Sequence, residues 1–121
     1  MSILLIEDEE VLREVLEGRF KKEGYNLRVA NNGKEGLEMM RSDKPDLVLL
    51  DAELPKMDGL DVLEEINKDS DLKKVPTIII SNSGQPVQLE KAQKLGAADW
   101  IIKTEFNPQE VVNKVEQQLN A

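Results

Sequence analysis

The chain contains no cysteine and no histidine, and its 121 residues include one Trp, one Tyr and two Phe. Without Cys there are no disulfides and no thiolate metal sites, and without His the commonest zinc ligand and general base is missing. Zinc enzymes and His-based triads are therefore excluded. No apolar run approaches the ~20 residues that a membrane-spanning helix needs. Met1-Ser2 leads directly into Ile3-Leu4-Leu5-Ile6 with no basic segment before it, so no signal peptide is expected and the cytoplasm is the default compartment. Basic residues are outnumbered: 16 Lys and Arg against 24 Asp and Glu leave a net charge of -8. That balance argues against direct nucleic-acid binding, because phosphate contacts are made mainly by Lys and Arg. Neither nucleic acid nor membrane is an expected partner.

What is present is an alternation of short apolar runs and amphipathic segments. The run Leu47-Val48-Leu49-Leu50 leads straight into Asp51, bounded by Pro45 before it and by Pro55 and Gly59 after it, and reads as a strand buried on both faces. Ile3 to Ile6 is a similar run and ends as abruptly in Glu7-Asp8-Glu9-Glu10. Val11, Leu12, Val15, Leu16 and Phe20 then recur at helical spacing until Gly24 stops the pattern. Leu27 to Ala30 is a brief strand, and Asn32-Gly33-Lys34-Glu35 is a capping box that opens a helix through Leu37 and Met40. Beyond Asp51, Asp58 is positioned to cap a helix with the stripe Leu60, Leu63 and Ile66.

Pro76 introduces the β-branched run Thr77 to Ile80, which ends in Ser81-Asn82-Ser83-Gly84. Pro86 to Leu95 is a weakly amphipathic helix stopped by Gly96, and Trp100-Ile101-Ile102 is a last strand ending at Lys103. Asn107-Pro108-Gln109-Glu110 starts the final helix, whose apolar face is Val111, Val112, Val115 and Leu119. Strand followed by helix, about five times over, demands parallel strands with right-handed crossovers and helices on both faces. One α/β domain over residues 1–121, doubly wound and with no output domain, is the expected organisation.

In such a sheet, ligands bind outside the carboxyl ends of the strands. The residues at those ends are Glu7 and Asp8, Asp51, Ser81 and Lys103. Three carboxylates packed together repel one another unless a divalent cation joins them, and oxygen-only ligands point to magnesium. A Lys and a hydroxyl across the site suit the oxygens of a phosphoryl group.

These residues, with Pro55-x-Met57-Asp58-Gly59 downstream of Asp51, give the chain a whole-length resemblance to the receiver domains of two-component response regulators, in the style of single-domain chemotaxis regulators. The resemblance implies a flavodoxin-like, five-stranded parallel sheet in the order 2-1-3-4-5 with five helices. It implies that Asp51 accepts a phosphoryl group from a sensor histidine kinase, a phosphotransfer protein or a small phosphodonor. Asp8 and Asp51 would hold magnesium directly, Glu7 mainly through water, and Glu53 through its backbone carbonyl. Lys103 would neutralise the phosphoryl group, while Ser81 and Trp100, at the family's switch positions, would relay the change to a downstream protein target. The implied docking face is the fourth helix, last strand and fifth helix. The domain is expected to be a signalling switch that catalyses only its own phosphorylation and dephosphorylation.

The sequence departs from the family pattern in two places. Lys103-Thr104 lacks the Pro that usually follows the Lys in a cis bond. A cis bond before a residue other than Pro costs about 2.5 to 4 kcal/mol, so a trans bond is expected. Asn82 stands where a small residue is usual beside the phosphoryl pocket and narrows access to it, and Glu53 and Ser83 fall at positions that tune dephosphorylation. The alternative reading is a pseudo-receiver that binds proteins without phosphorylation. A haloacid-dehalogenase-type phosphatase would need Asp-x-Asp where this chain has Asp51-Ala52-Glu53, and a flavin carrier would need a phosphate-binding loop and ring-stacking aromatics.

Overall fold

The short apolar runs form the sheet and the amphipathic segments cover it. The computed structural model describes residues 1–82, 86–105 and 107–120. Strands β1 (Ser2–Ile6), β2 (Asn26–Ala30), β3 (Leu47–Asp51), β4 (Thr77–Ser81) and β5 (Asp99–Ile102) alternate with helices α1 (Glu10–Lys22), α2 (Gly33–Ser42), α3 (Gly59–Lys68), α4 (Pro86–Lys94) and α5 (Pro108–Leu119). The strands pair in parallel in the order β2-β1-β3-β4-β5, as expected for a doubly wound sheet. The order reverses between β1 and β3, which opens a crevice at their carboxyl ends.

Side chains alternate across each strand and feed two cores. Leu4, Ile6, Val48, Leu50 and Ile79 pack with Leu37 and Met40 of α2, Val62, Leu63 and Ile66 of α3, and Ala92 of α4. On the opposite face Ile3, Leu5, Leu47, Leu49, Ile78 and Ile80 pack with Leu12, Leu16 and Phe20 of α1 and Val111, Val112 and Val115 of α5. Both β3 and β4 are buried at every position, so the continuous apolar runs reflect cover on two sides.

Several local expectations change. Val11 and Val15 are 69% and 40% exposed, because the buried stripe of α1 is Leu12, Leu16 and Phe20 and their neighbours turn outward. In α3 the buried set is Val62, Leu63 and Ile66, with Leu60 only half-buried. Asp58 occupies the N-cap of α3 but makes no side-chain cap bond. The first turn is instead tied down by the Gly59 N–H, which donates to the Ala52 carbonyl at 3.0 Å. Side-chain caps do form at Asn32, which accepts from the Glu35 N–H, and at Asn107, which accepts from the Gln109 N–H. Two short 3-10 turns, Leu72–Lys74 and Lys103–Glu105, carry no periodic signal in the sequence.

Candidate active site at the carboxyl end of the sheet

Glu7 follows β1, Asp51 ends β3 and Lys103 follows β5, and all three continue the alternation that faces α1 and α5. Period two therefore brings an acid, a second acid and a cation to one side of one crevice. Lys103 Nζ lies 2.9 Å from Asp51 Oδ2 and 3.0 Å from Glu7 Oε1, with Glu9 Oε2 at 3.6 Å. Its contact with Glu7 Oε1 is ionic rather than a well-directed hydrogen bond. Glu7 and Asp51 are fully buried, whereas Asp8 is exposed and leaves the crevice open to solvent.

Burial pushes the Asp51 carboxyl up to about 7; the hydrogen bond and negative charge of Glu7 add to the rise, and Lys103 opposes it. For Lys103, burial acts downward, but its hydrogen bonds and ion pairs with Asp51 and Glu7 outweigh it and hold the pKa above that of a free lysine. The lysine is thus an ammonium at neutral pH. In the metal-free chain the acids are not left to repel one another unaided, as the sequence suggested, because Lys103 is drawn between them.

Glu7, Asp8 and Asp51 each offer a carboxylate oxygen within 4.8 Å of the others. A hard-oxygen donor set with one open side fits magnesium, which keeps several waters and takes one or two carboxylates.

The loop after β3 frames Asp51. A Cβ on Gly59 would stand 2.1 Å from the Asp51 carbonyl oxygen and 2.6 Å from the Ala52 Cα, so only glycine lets the start of α3 approach this closely. Lys56 has φ of 66° and Met57 N–H donates to the Pro55 carbonyl at 2.7 Å, which makes a tight turn in the left-handed region. Glu53 has two contacts: its N–H donates to Asp51 Oδ1 at 3.0 Å, and its Oε1 accepts from Ser81 Oγ at 2.8 Å.

Ser81 ends β4 on the alternation that faces α4, the side on which Trp100 of β5 packs against the core. Trp100 is half-buried beside a cleft of about 140 Å³ that Leu89 and Ala92 of α4 also line. Its Nε1 is buried with no hydrogen-bond partner among the described residues, and so is Oε1 of Gln88. Asn82 is exposed, and the peptide after Lys103 is trans, as expected without proline. Ser83 and Phe106 lie outside the described residues.

The geometry matches a known family. The response regulator receiver domain profile matches residues 3–116. The chain belongs to the response regulator receiver domain family. Receiver domains are signalling modules of two-component systems, and this one shares their strand order and acidic crevice. A relative from Guillardia theta, "Probable transcriptional regulator ycf27", is 36% identical over 114 residues, covering 94% of this chain and 43% of that protein. The receiver domain thus spans about half the length of the curated relatives it matches. Among solved structures, the signal receiver domain of a signal transduction histidine kinase from Syntrophus aciditrophicus is 26% identical, with a TM-score of 0.89, covering 98% of this chain and 89% of that one. The receiver domain of a Pseudomonas aeruginosa sensor histidine kinase, solved with magnesium coordinated in its active site cleft, shares the fold at 24% identity and a TM-score of 0.90, covering 99% and 98% of the two chains.

The structure brings together Glu7, Asp8, Asp51 and Lys103, and Glu53 with Ser81, while Trp100 stands apart on the α4 side. Sequence reasoning missed the contact of Glu9 with Lys103 and the side-chain bond of Glu53 to Ser81. For Glu9 the signal was present, since it continues the acidic run Glu7-Asp8-Glu9-Glu10. No helix among the described residues is long and apolar enough to cross a membrane.

Proposed function

We propose that this receiver domain is a phosphorylation-dependent switch in which Asp51 accepts a phosphoryl group from a sensor histidine kinase or a phosphotransfer protein. The observation that carries the reading is the buried Asp51 carboxylate, 2.9 Å from the Lys103 ammonium and within metal-binding reach of Glu7 and Asp8. An oxygen of the ionised Asp51 attacks phosphorus, the phosphorus–nitrogen bond of the donor phosphohistidine breaks, and its electron pair leaves with the imidazole. An acyl phosphate results.

Magnesium, held directly by Asp8 and Asp51, through water by Glu7 and by the backbone carbonyl of Glu53, would neutralise charge on the phosphoryl oxygens. Lys103 pairs with those oxygens from the opposite side. Because the metal-free pKa of Asp51 is about 7, loss of its proton is part of activation, and cations around it favour the ionised nucleophile. Ser81 donates its hydroxyl to a phosphoryl oxygen, and Trp100 reports the change to a target protein at the face of α4, β5 and α5. Water later hydrolyses the acyl phosphate, so the chemistry resets a signal and makes no metabolite.

Exposed Val11 and Val15 support docking of the donor protein, since with Glu9 and Lys103 they line one shallow surface at the mouth of the crevice. The test is fluorescence of Trp100 on addition of magnesium and beryllofluoride. A saturable change that needs both reagents and disappears in Asp51→Asn is expected. A response to magnesium alone, with none to beryllofluoride, would favour a pseudo-receiver.

A further inference from the structure

Glu53 is exposed, yet its carboxylate accepts a 2.8 Å hydrogen bond from the fully buried Ser81, while its N–H donates to Asp51 Oδ1 at 3.0 Å. One residue thus touches both the nucleophile position and the switch hydroxyl. An ionised carboxylate has no proton to give, so the bond from Ser81 spends the single hydroxyl proton on Glu53. Phosphoryl oxygens on Asp51 are also acceptors. The same proton cannot serve both.

We infer that the Glu53 carboxylate is a latch on Ser81, a positioning residue that holds the hydroxyl in the resting arrangement and sets how readily the phosphorylated arrangement forms. This rests on the reading of Asp51 as acceptor and Ser81 as switch. Phosphorylation opens the latch in two ways: it supplies a competing acceptor, and it adds negative charge beside the Glu53 carboxylate. The energy of the Ser81–Glu53 bond is lost when the site fills, so the latch lowers affinity for a phosphoryl group without contacting it. The family resemblance puts Glu53 at a position that tunes dephosphorylation; the latch is a different role, acting before phosphorylation through the hydroxyl.

The test is a double-mutant cycle in the affinity for beryllofluoride with magnesium, read by fluorine NMR on the full chain. Substitution at Glu53 leaves the backbone N–H and carbonyl in place, and the side chain is exposed, so folding is preserved. Glu53→Ala is expected to bind about three- to tenfold more tightly than wild type, the range of a partly exposed charge-assisted hydrogen bond. Glu53→Gln, which keeps an acceptor but not the charge, should fall between them. In a Ser81→Ala background the Glu53→Ala gain should shrink to less than about twofold, because nothing is left to latch. An equal gain in both backgrounds would mean that Glu53 acts by charge repulsion alone and would overturn the latch, as would no gain in either. If wild type fails to bind beryllofluoride at all, the underlying reading falls and the latch with it, an outcome distinct from a latch that fails while binding is intact.

Discussion

At the carboxyl end of the sheet, Glu7, Asp51 and Lys103 fall on the side of α1 and α5, whereas Ser81 and Trp100 fall on the side of α4. The first group is tied by charge: two buried acids share one ammonium at 2.9 and 3.0 Å, and even Glu7 Oε1, which has no directed hydrogen bond among the described residues, is ion-paired. The second has no such pairing at Trp100, whose Nε1 is buried beside a cleft of about 140 Å³ with no hydrogen-bond partner among the described residues. Buried polar groups without partners cost free energy and are relieved by rearrangement, while a paired cluster resists it. On the proposed switch reading, the chemistry lies on one face of the sheet and the movement on the other, and Glu53 touches both through Asp51 and Ser81.

The comparison can be broken first at Lys103. Lys103→Ala leaves two buried acids without their cation, and in chelator it should cost about 3 kcal/mol by urea unfolding at neutral pH, with a smaller loss in acid where Asp51 is protonated. A loss below about 1 kcal/mol would mean that the acidic half is not held by this pairing. Gly59→Ala comes next: its Cβ meets the Asp51 carbonyl and Ala52 Cα at 2.1 and 2.6 Å, and the backbone shift should cost about 1 to 3 kcal/mol and weaken magnesium binding. Retention of wild-type stability and metal affinity would show that the loop yields freely.

The pH dependence sharpens the same point. Asp51 has a pKa of about 7 in the folded metal-free chain against 3.8 for the free side chain, so the folded state keeps a proton that the unfolded chain releases. Stability from this group is full below pH 3.8, falls as pH rises to about 7, and is flat beyond that. Melting temperatures in chelator should fall across that window, and magnesium, competing with the proton, should bind more tightly as pH rises through it. A flat profile in chelator would remove the raised pKa. The smallest effect belongs to the other half: Trp100→Phe deletes a donor that has no partner among the described residues, along with some packing, and the two should offset to within about 1 kcal/mol. A loss above about 2 kcal/mol would show that Trp100 is a core residue with no freedom to report a change.

The sheet was legible because its signal is local. Leu47 to Asp51 is a strand with those bounds, and the ends of β1, β4 and β5 carry the residues read from the runs. Less legible was anything set by direction. Val11 and Val15 match a helical stripe as well as Leu12 and Leu16 do, and only packing against α5 and the sheet decides which shoulder is buried. Asp58 has cap chemistry, but its side chain leaves the helix uncapped while the backbone of Gly59 reaches Ala52. For the site, residue types at strand ends identified Asp51, Asp8, Glu7, Ser81 and Lys103 as candidates. The bond of Glu53 to Ser81 spans 28 positions of sequence, and no local pattern encodes it.

The most direct test of the central claim is intact-mass analysis of the protein incubated with magnesium and acetyl phosphate. The expected result is a single phosphoryl adduct on wild type, located at Asp51, absent from Asp51→Asn and absent when magnesium is chelated. A wild-type chain that stays unmodified, or an adduct that persists in Asp51→Asn, would contradict it.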